Sequence, residues 1–264
     1  MNLRSHALTV YRLIAPLFDP LKLWRGFVGY PRYFLDLARY RALAEKENRS
    51  AVAYELFPCL HDRTSTTGFD AHYCYLAYWA TRKLIEQPMD ATSPLHVDVG
   101  SQVSWLMALA AMRPVISVDI RPFDSKIPTL EVRKGTVLDL PFEDSSVDSL
   151  SCLHVAEHIG LGRYGDPLDP KGTEKAIAEL ARVLSPRGRL LFALPVGRER
   201  VSFDAHRVYD PCNIVNIFLQ SGLEMKTFSA VGDDRAYSEN ACLSDYSNSE
   251  YACGMFEFGR RICR

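Results

Sequence analysis

Four short apolar runs, each closing on a small or polar residue, constrain this chain more than any other feature. They lie in HVDVGSQVS at 96–104, VISVDI at 115–120, GTVLDLPFEDSSVDSLSCLHVAEHI at 135–159 and LARVLSPRGRLLFALP at 180–195. Runs this short and rich in β-branched residues, separated by helix-length segments, predict parallel strands joined by crossover helices. The strands are expected at Leu95–Val99, Val115–Val118, Val147–Leu153 and Arg189–Leu194. Their polar ends then fall on the carboxyl edge of the sheet, where open α/β sheets bind ligands.

A chain of 264 residues is long enough to bury one large α/β domain and carry an extension. Its formal charge of −1 argues against coating nucleic acid, a task that needs a strongly basic surface. Seven cysteines (Cys59, Cys74, Cys152, Cys212, Cys242, Cys253 and Cys263) are scattered, with no C-x-x-C pair. That spacing disfavours a disulfide framework or a structural zinc site and fits reduced thiols in a cytoplasm. No run reaches 18 apolar residues, and Arg12 interrupts the candidate signal core ALTVYRLIAPLF at 7–18. The expected location is cytoplasmic.

Charge is nevertheless uneven. Residues 1–41 hold seven Arg or Lys against only Asp19 and Asp36, a local charge of +5 that leaves −6 for the remainder. Tyr11, Phe18, Trp24, Phe27, Tyr30, Tyr33, Phe34 and Tyr40 lie in the same stretch. A basic, aromatic, helical extension either packs on its own chain or rests peripherally on the inner surface of an anionic membrane. The character changes after Pro58, through the turn-like HDRTSTTGF at 61–69, so the boundary is set between an extension at 1–67 and a domain at 68–264. A helix is expected over Asp70–Glu86, with Tyr73, Leu76, Ala77, Ala80 and Leu84 on one face. Ser93 and Pro94 mark the start of the first strand.

The turn Asp98-Val99-Gly100-Ser101 contains a single glycine. Dinucleotide sites use three, so that a pyrophosphate can approach the backbone and the helix start. A nucleoside ligand without phosphates, such as S-adenosylmethionine, demands less of that loop. Asp119 ends the second strand, 19 residues after Gly100, where a carboxylate can accept from both hydroxyls of a ribose. Asp139, with Leu140 beside it, follows the third strand and is placed to accept from an adenine amino group, or else serves as a turn residue. The fourth strand delivers His154, Glu157 and His158 to the same edge.

Taken together, these pieces resemble a class I S-adenosylmethionine-dependent methyltransferase over residues 68–264, including LEMKTFSAV at 223–231 and YACGMFEFGR at 251–260, which suit the antiparallel strand pair ending such sheets. More narrowly, SLSCLHVAEHIGLGRYGDPLDPKG at 149–172 and RERVSFDAHRVYDP at 198–211 resemble a methyltransferase-like family shared by nematodes and bacteria, whose bacterial members often lie beside surface-polysaccharide genes. The resemblance implies a Rossmann-like, seven-stranded, mostly parallel sheet with helices on both faces. It also implies S-adenosyl-L-methionine as cofactor, held by Asp98, Gly100, Ser101, Asp119, Ile120, Asp139, Leu140 and His154, with Tyr73 reaching over from the helix before the first strand. The implied activity is O-methylation of a sugar in a glycan or its precursor, with Glu157 and His158 matching a Glu-His pair common after the fourth strand. The chain departs from the family pattern in lacking the second and third glycines of D-x-G-x-G-x-G.

A sugar hydroxyl needs a base to take its proton as the carbon–oxygen bond forms, and histidine, with an ordinary pKa of about 6.5, suits that task. His158, His154 and His206 compete for the role, with Glu157 as an orienting partner. GLGRYGDPLDPKG at 160–172 is too rich in glycine and proline for a helix and is expected as an irregular loop shaping the acceptor site. Asp166 and Asp169 could hold Mg²⁺ with His158, but spacing does not show the convergent oxygens such a site needs, and no metal is assigned. A helix over Thr173–Leu184, stopped by Pro186 and Gly188, is the crossover to the fifth strand. Two other readings stay open: a non-catalytic methyltransferase-like binding module in glycan assembly, and a nicotinamide-dependent oxidoreductase, which the missing glycines disfavour.

Overall fold

In the computed structural model, which describes residues 10, 19–47, 53–86 and 95–261, the chain divides into two units, Met1–Gly68 and Phe69–Arg264. Arg4, Tyr11, Arg12 and Phe18 of the basic stretch, the Ser93–Pro94 boundary and Cys263 lie outside the described residues. The first unit is built on α1 (Pro20–Lys46). Gly26, Gly29, Tyr33, Leu37 and Ala44 share its half-buried face. That face meets the segment that follows. The amide of Phe57 donates to Tyr33 Oη at 3.1 Å, and the side chain of Leu60 lies where a Cβ on Gly29 would sit.

The second unit opens with α2 (Ala71–Ile85), whose N-cap Asp70 accepts from the amide of Tyr73 at 3.3 Å. Its buried stripe is Leu76, Trp79, Ala80 and Leu84, so Trp79 takes the core position and Tyr73 stays exposed. The chain then runs through β1 (His96–Val99), α3 (Val103–Ala110), β2 (Val115–Asp119), β3 (Leu130–Lys134), β4 (Val147–Leu153), α4 (Gly172–Val183) and β5 (Leu184–Val196): crossover helices join β1 to β2 and β4 to β5 as expected, whereas β2, β3 and β4 are joined by turns without a helix. A hairpin of β6 (Arg200–Ser202) and β7 (His206–Val208) follows, then α5 (Pro211–Gln220), β8 (Leu223–Val231), β9 (Tyr237–Ser238) and β10 (Ala252–Arg260).

The main sheet has the order β3-β2-β1-β4-β5-β10-β8-β9. Strands β1 to β5 pair in parallel, while β10 inserts antiparallel between β5 and β8. The sheet has eight strands rather than the expected seven. The extra one is the two-residue edge β9, formed because the chain folds back on β8 and pairs Ala230 with Ser238. Nor do Pro186 and Gly188 stop the crossover helix. It ends at Val183 and passes directly into β5, with both residues in the irregular start of that strand, where the register against β4 shifts.

Helices cover both faces of the sheet. Trp79 and Leu84 of α2 and Trp105, Leu106 and Leu109 of α3 pack on Leu153, Ala193, Cys253 and Met255. On the other face, Ile177 and Leu180 of α4 and Ile214 and Phe218 of α5 pack on Leu150, Phe192, Phe256 and Phe258. The ring of Phe218 stacks on Phe258 at 3.7 Å between centroids. A sheet buried on both faces explains the near-continuous apolar character of its strands. It leaves only their carboxyl edge to carry polar chemistry.

Candidate active site

A cleft enclosing about 680 Å³, including space open to solvent, lies at the carboxyl ends of β1, β2 and β4. Gly100 forms its floor at φ +66°, and a Cβ there would meet Val155 Cγ2 at 3.2 Å, so the turn requires glycine for both its backbone and its close packing. Asp119 and Ile120 line the cleft from the end of β2. One carboxylate oxygen of Asp119 accepts from the amide of Arg121 at 2.7 Å. Arg121 turns back over the opening, its guanidinium 4.2 Å from the centroid of Tyr164, which also lines the cleft.

Not every expected cofactor residue reaches this space. Asp139 is exposed, and Leu140 is buried in the core with its amide donating to Glu179 at 2.7 Å. The turn after β3 closes by a bridge between Thr136 and Asp139, which sends Leu140 inward and presents Val137 and Leu138 to the cleft instead. Asp98 and Ser101 are also buried rather than lining it. They form a seam between β1 and β4: Ser151 Oγ donates to Asp98 Oδ1 at 2.5 Å, the amide of Ser101 donates to Asp98 Oδ2 at 3.1 Å, and Ser101 Oγ accepts from the amide of Leu153 at 3.3 Å. His96, wholly buried, extends the seam with Nε2 2.9 Å from Ser151 Oγ and Nδ1 2.8 Å from Ser149 Oγ. Because the hydroxyl proton of Ser151 goes to Asp98, Ser151 accepts from His96 Nε2–H, and Nδ1 accepts from Ser149. Burial pushes His96 down to about 3 and Asp98 up to about 6. The seam therefore fixes the glycine turn.

The four residues expected to carry the chemistry do converge. His154, the first residue after β4, adopts φ +57°, and its Nδ1 lies 2.8 Å from Glu157 Oε1. Its Nε2 lies 3.3 Å from Cys253 Sγ on β10. Burial by itself would lower the pKa of His154, but the sulfur of Cys253 and the carboxylate of Glu157 outweigh it and raise the pKa well above the ordinary value. Both ring nitrogens of His154 are thus engaged, Nδ1 by Glu157 and Nε2 by Cys253. His158 ends the short 3-10 turn Ala156–His158 and is held differently. Its Nδ1 donates to the carbonyl of Ala205 at 2.5 Å, which leaves Nε2 as the acceptor nitrogen, 3.7 Å from Glu157 Oε1.

Glu157 is almost wholly buried, and its Oε2 has no hydrogen-bond partner. Around this carboxylate gather His206, on β7, and Tyr251, whose rings are 4.9 Å apart. His72 stacks on Tyr251 at 5.4 Å, and Tyr73 lies 5.5 Å from His154. Burial lowers the pKa of His72 and His206 and raises that of Tyr251. The cluster therefore sets the His154–Glu157 pair beside two imidazoles and a phenol whose charged forms burial disfavours. Tyr251 and Cys253 were not legible as site residues, because β10 reaches His154 across a sequence separation of 99. Arg121 carried a signal in standing two residues after Asp119.

The loop 160–172 is irregular, as expected, and it is pinned. Asp166 accepts from the amides of Gly160 and Tyr164, Asp169 pairs with Lys175 at 2.6 Å, and Arg207 donates to the carbonyls of Ile159 and Asp169. Both aspartates are thus committed to the loop, and among the described residues no group of three or more His, Cys, Asp or Glu is placed to hold a metal ion. Gly160 sits at φ +81°, and a Cβ there would fall 2.0 Å from the carbonyl oxygen of Asp169. Gly160→Ala should cost about 3 kcal/mol, read as a lower urea midpoint at unchanged slope. A midpoint equal to that of the parent would show that the loop is not pinned here.

The sheet order, with helices on both faces and a cleft over β1, β2 and β4, is that of the class I S-adenosylmethionine-dependent methyltransferase fold. Several solved structures share it. A geranyl diphosphate methyltransferase in complex with SAM aligns at a TM-score of 0.51 and 14% identity, covering 75% of this chain and 93% of its own. The (4+2)-cyclase SpnF aligns at 0.51 and 14% identity, covering 71% of this chain and 82% of its own. A Galdieria sulphuraria protein provisionally assigned as a sarcosine dimethylglycine methyltransferase aligns at 0.51 and 15% identity, covering 70% and 85%. Residues 141–250 match the family described as Caenorhabditis protein of unknown function, DUF268. No curated protein matches the sequence.

Proposed function

We propose that this chain is an S-adenosylmethionine-dependent methyltransferase that O-methylates a hydroxyl of a sugar in a glycan or its precursor, with His158 as general base. One observation carries the reading: His158 lines the cleft, its Nδ1 is fixed by the Ala205 carbonyl, and its acceptor nitrogen stands beside a buried carboxylate. The cleft suits the cofactor. Asp119 offers a carboxylate to ribose hydroxyls, Ile120, Leu138 and Tyr164 give apolar walls for a purine, and the single glycine at the turn serves a ligand that brings no phosphate. When bound, S-adenosylmethionine would supply an electrophilic methyl group on a sulfonium.

Every remaining task falls to the protein. His158 Nε2 takes the proton of the acceptor hydroxyl, and Glu157 stabilises the imidazolium that results. His154 has no free nitrogen and acts as a positioning residue: its Nδ1, 2.8 Å from Glu157 Oε1, fixes the orientation of that buried side chain. Tyr164, with Arg121 stacked on it, forms one wall of the cleft. A polyhydroxylated acceptor suits the ring of neutral imidazoles and phenol around the unpartnered Glu157 Oε2. The sugar and its glycan setting rest on the sequence resemblance alone.

Calorimetric titration of the full chain with S-adenosylmethionine and S-adenosylhomocysteine tests the reading. Saturable binding is expected, and Asp119→Ala should weaken it by about 10²-fold, the cost of losing charge-assisted hydrogen bonds to a ribose. Absence of binding at millimolar ligand would leave a non-catalytic module as the better description.

A further inference from the structure

The helix α1 of the first unit presents two different faces. Its inner face is occupied by the unit's own chain: Leu60 fits against Gly26 and Gly29, Tyr33 Oη takes the amide of Phe57, and the rings of Tyr40 and Tyr54 meet edge to face at 6.1 Å. The outer face carries Leu23, Trp24, Phe27, Val28, Phe34 and Leu35, each more than half exposed. At 3.6 residues per turn these six fall on one arc, opposite the glycines. A contiguous exposed apolar arc of this kind marks a contact surface.

Charge identifies what covers it. Arg25, Arg32 and Arg39 recur at seven-residue spacing and so form a row along one edge of the arc. Only Asp36 lies among them, pairing loosely with Arg32 and Arg39 at 3.8 Å each. Over its length α1 holds six cations against two carboxylates, a net charge of +4. A second copy of the same face would bring like charges together. A surface that is apolar inside and anionic at its boundary satisfies both features at once. Among the described residues no helix is long and apolar enough to cross a membrane, so the geometry required is that of a helix lying flat.

We propose that α1 binds the surface of anionic lipid bilayers, with Trp24, Phe27 and Phe34 inserted among the headgroups and the row of Arg25, Arg32 and Arg39 on lipid phosphates. This inference is independent of the methyl-transfer reading. It would hold the chain beside acceptors that reside at that surface.

The chain supplies its own reporter. Of its three tryptophans, Trp79 and Trp105 are buried and Trp24 is 66% exposed, so a change in emission on adding vesicles reports α1. The full chain is mixed with vesicles of phosphatidylserine and phosphatidylcholine, or of phosphatidylcholine alone. Expected are a blue shift and co-sedimentation with the anionic vesicles, both weakened by salt. Substituting all three arginines (R25E, R32E, R39E) should reduce partitioning by about a hundredfold or more, and W24S with F27S should abolish co-sedimentation, each with unchanged far-ultraviolet dichroism. No sedimentation with anionic vesicles at about 0.1 M salt would overturn the proposal. So would equal binding to neutral vesicles, or a dimer in light scattering that the serine variant dissolves.

Discussion

His158→Ala is expected to lower kcat for methyl transfer by about 10²–10⁴-fold while calorimetric binding of S-adenosylmethionine persists. The group removed is the one cleft imidazole fixed with an acceptor nitrogen facing Glu157, since both ring nitrogens of His154 are already engaged, by Glu157 and Cys253. His154→Ala should also lose activity, by a different route. It leaves the buried Glu157 Oε1 without its hydrogen-bond partner, which costs about 1–3 kcal/mol, so the urea midpoint falls together with the rate. Cys253→Ser keeps an acceptor for His154 Nε2–H and should retain most of the activity. The assignment fails if His158→Ala keeps its rate within tenfold on an acceptor found by glycan screening. It fails equally if a stably folded His154→Gln is the more severely impaired variant.

The second large effect concerns stability and pH at the seam beneath the cleft. His96 is depressed to about 3, so the unfolded chain gains a proton below about pH 6.5 that the folded chain refuses, and stability is lost as the pH falls. Asp98 is raised to about 6, so the folded chain takes up its proton first, and stability is gained as the pH falls from about 6 to 4. Each slope is about 1.4 kcal/mol per pH unit, and in the parent protein the two oppose each other over the same window. Single substitutions should separate them. Relative to the parent, Asp98→Asn is expected to lose up to about 1.4 kcal/mol for each unit below pH 6, and His96→Gln to gain as much. Urea unfolding at pH 7, 6 and 5 reads both, and parallel slopes in the three proteins would contradict the assignment.

The strand pattern, the glycine turn, Asp119 as the end of β2 and the irregular 160–172 loop were all readable from the chain, because each is set by contacts local in sequence. Strand β1 needs only its β-branched run, Gly100 its positive φ, and the loop its glycines and prolines. Helices on both faces of the sheet were implied by the family resemblance. Convergence of His154, Glu157 and His158 also followed locally, since three residues after a strand end share one edge.

What the sequence did not contain was the role of each. Asp98 and His154 read as ligand residues, yet the pairing of β1 with β4 buries the first, and the insertion of β10 beside β5 places Cys253 against the second. Leu140 was misplaced for a similar reason: whether it faces ligand or core depends on a bridge that closes the turn after β3. The sequence alone thus determined the α/β frame, the carboxyl edge that bears the site and the histidines gathered there. Only the tertiary structure decided which histidine holds a free acceptor nitrogen, because a proton's position depends on hydrogen-bond partners that Ala205 and Cys253 bring from distant parts of the chain.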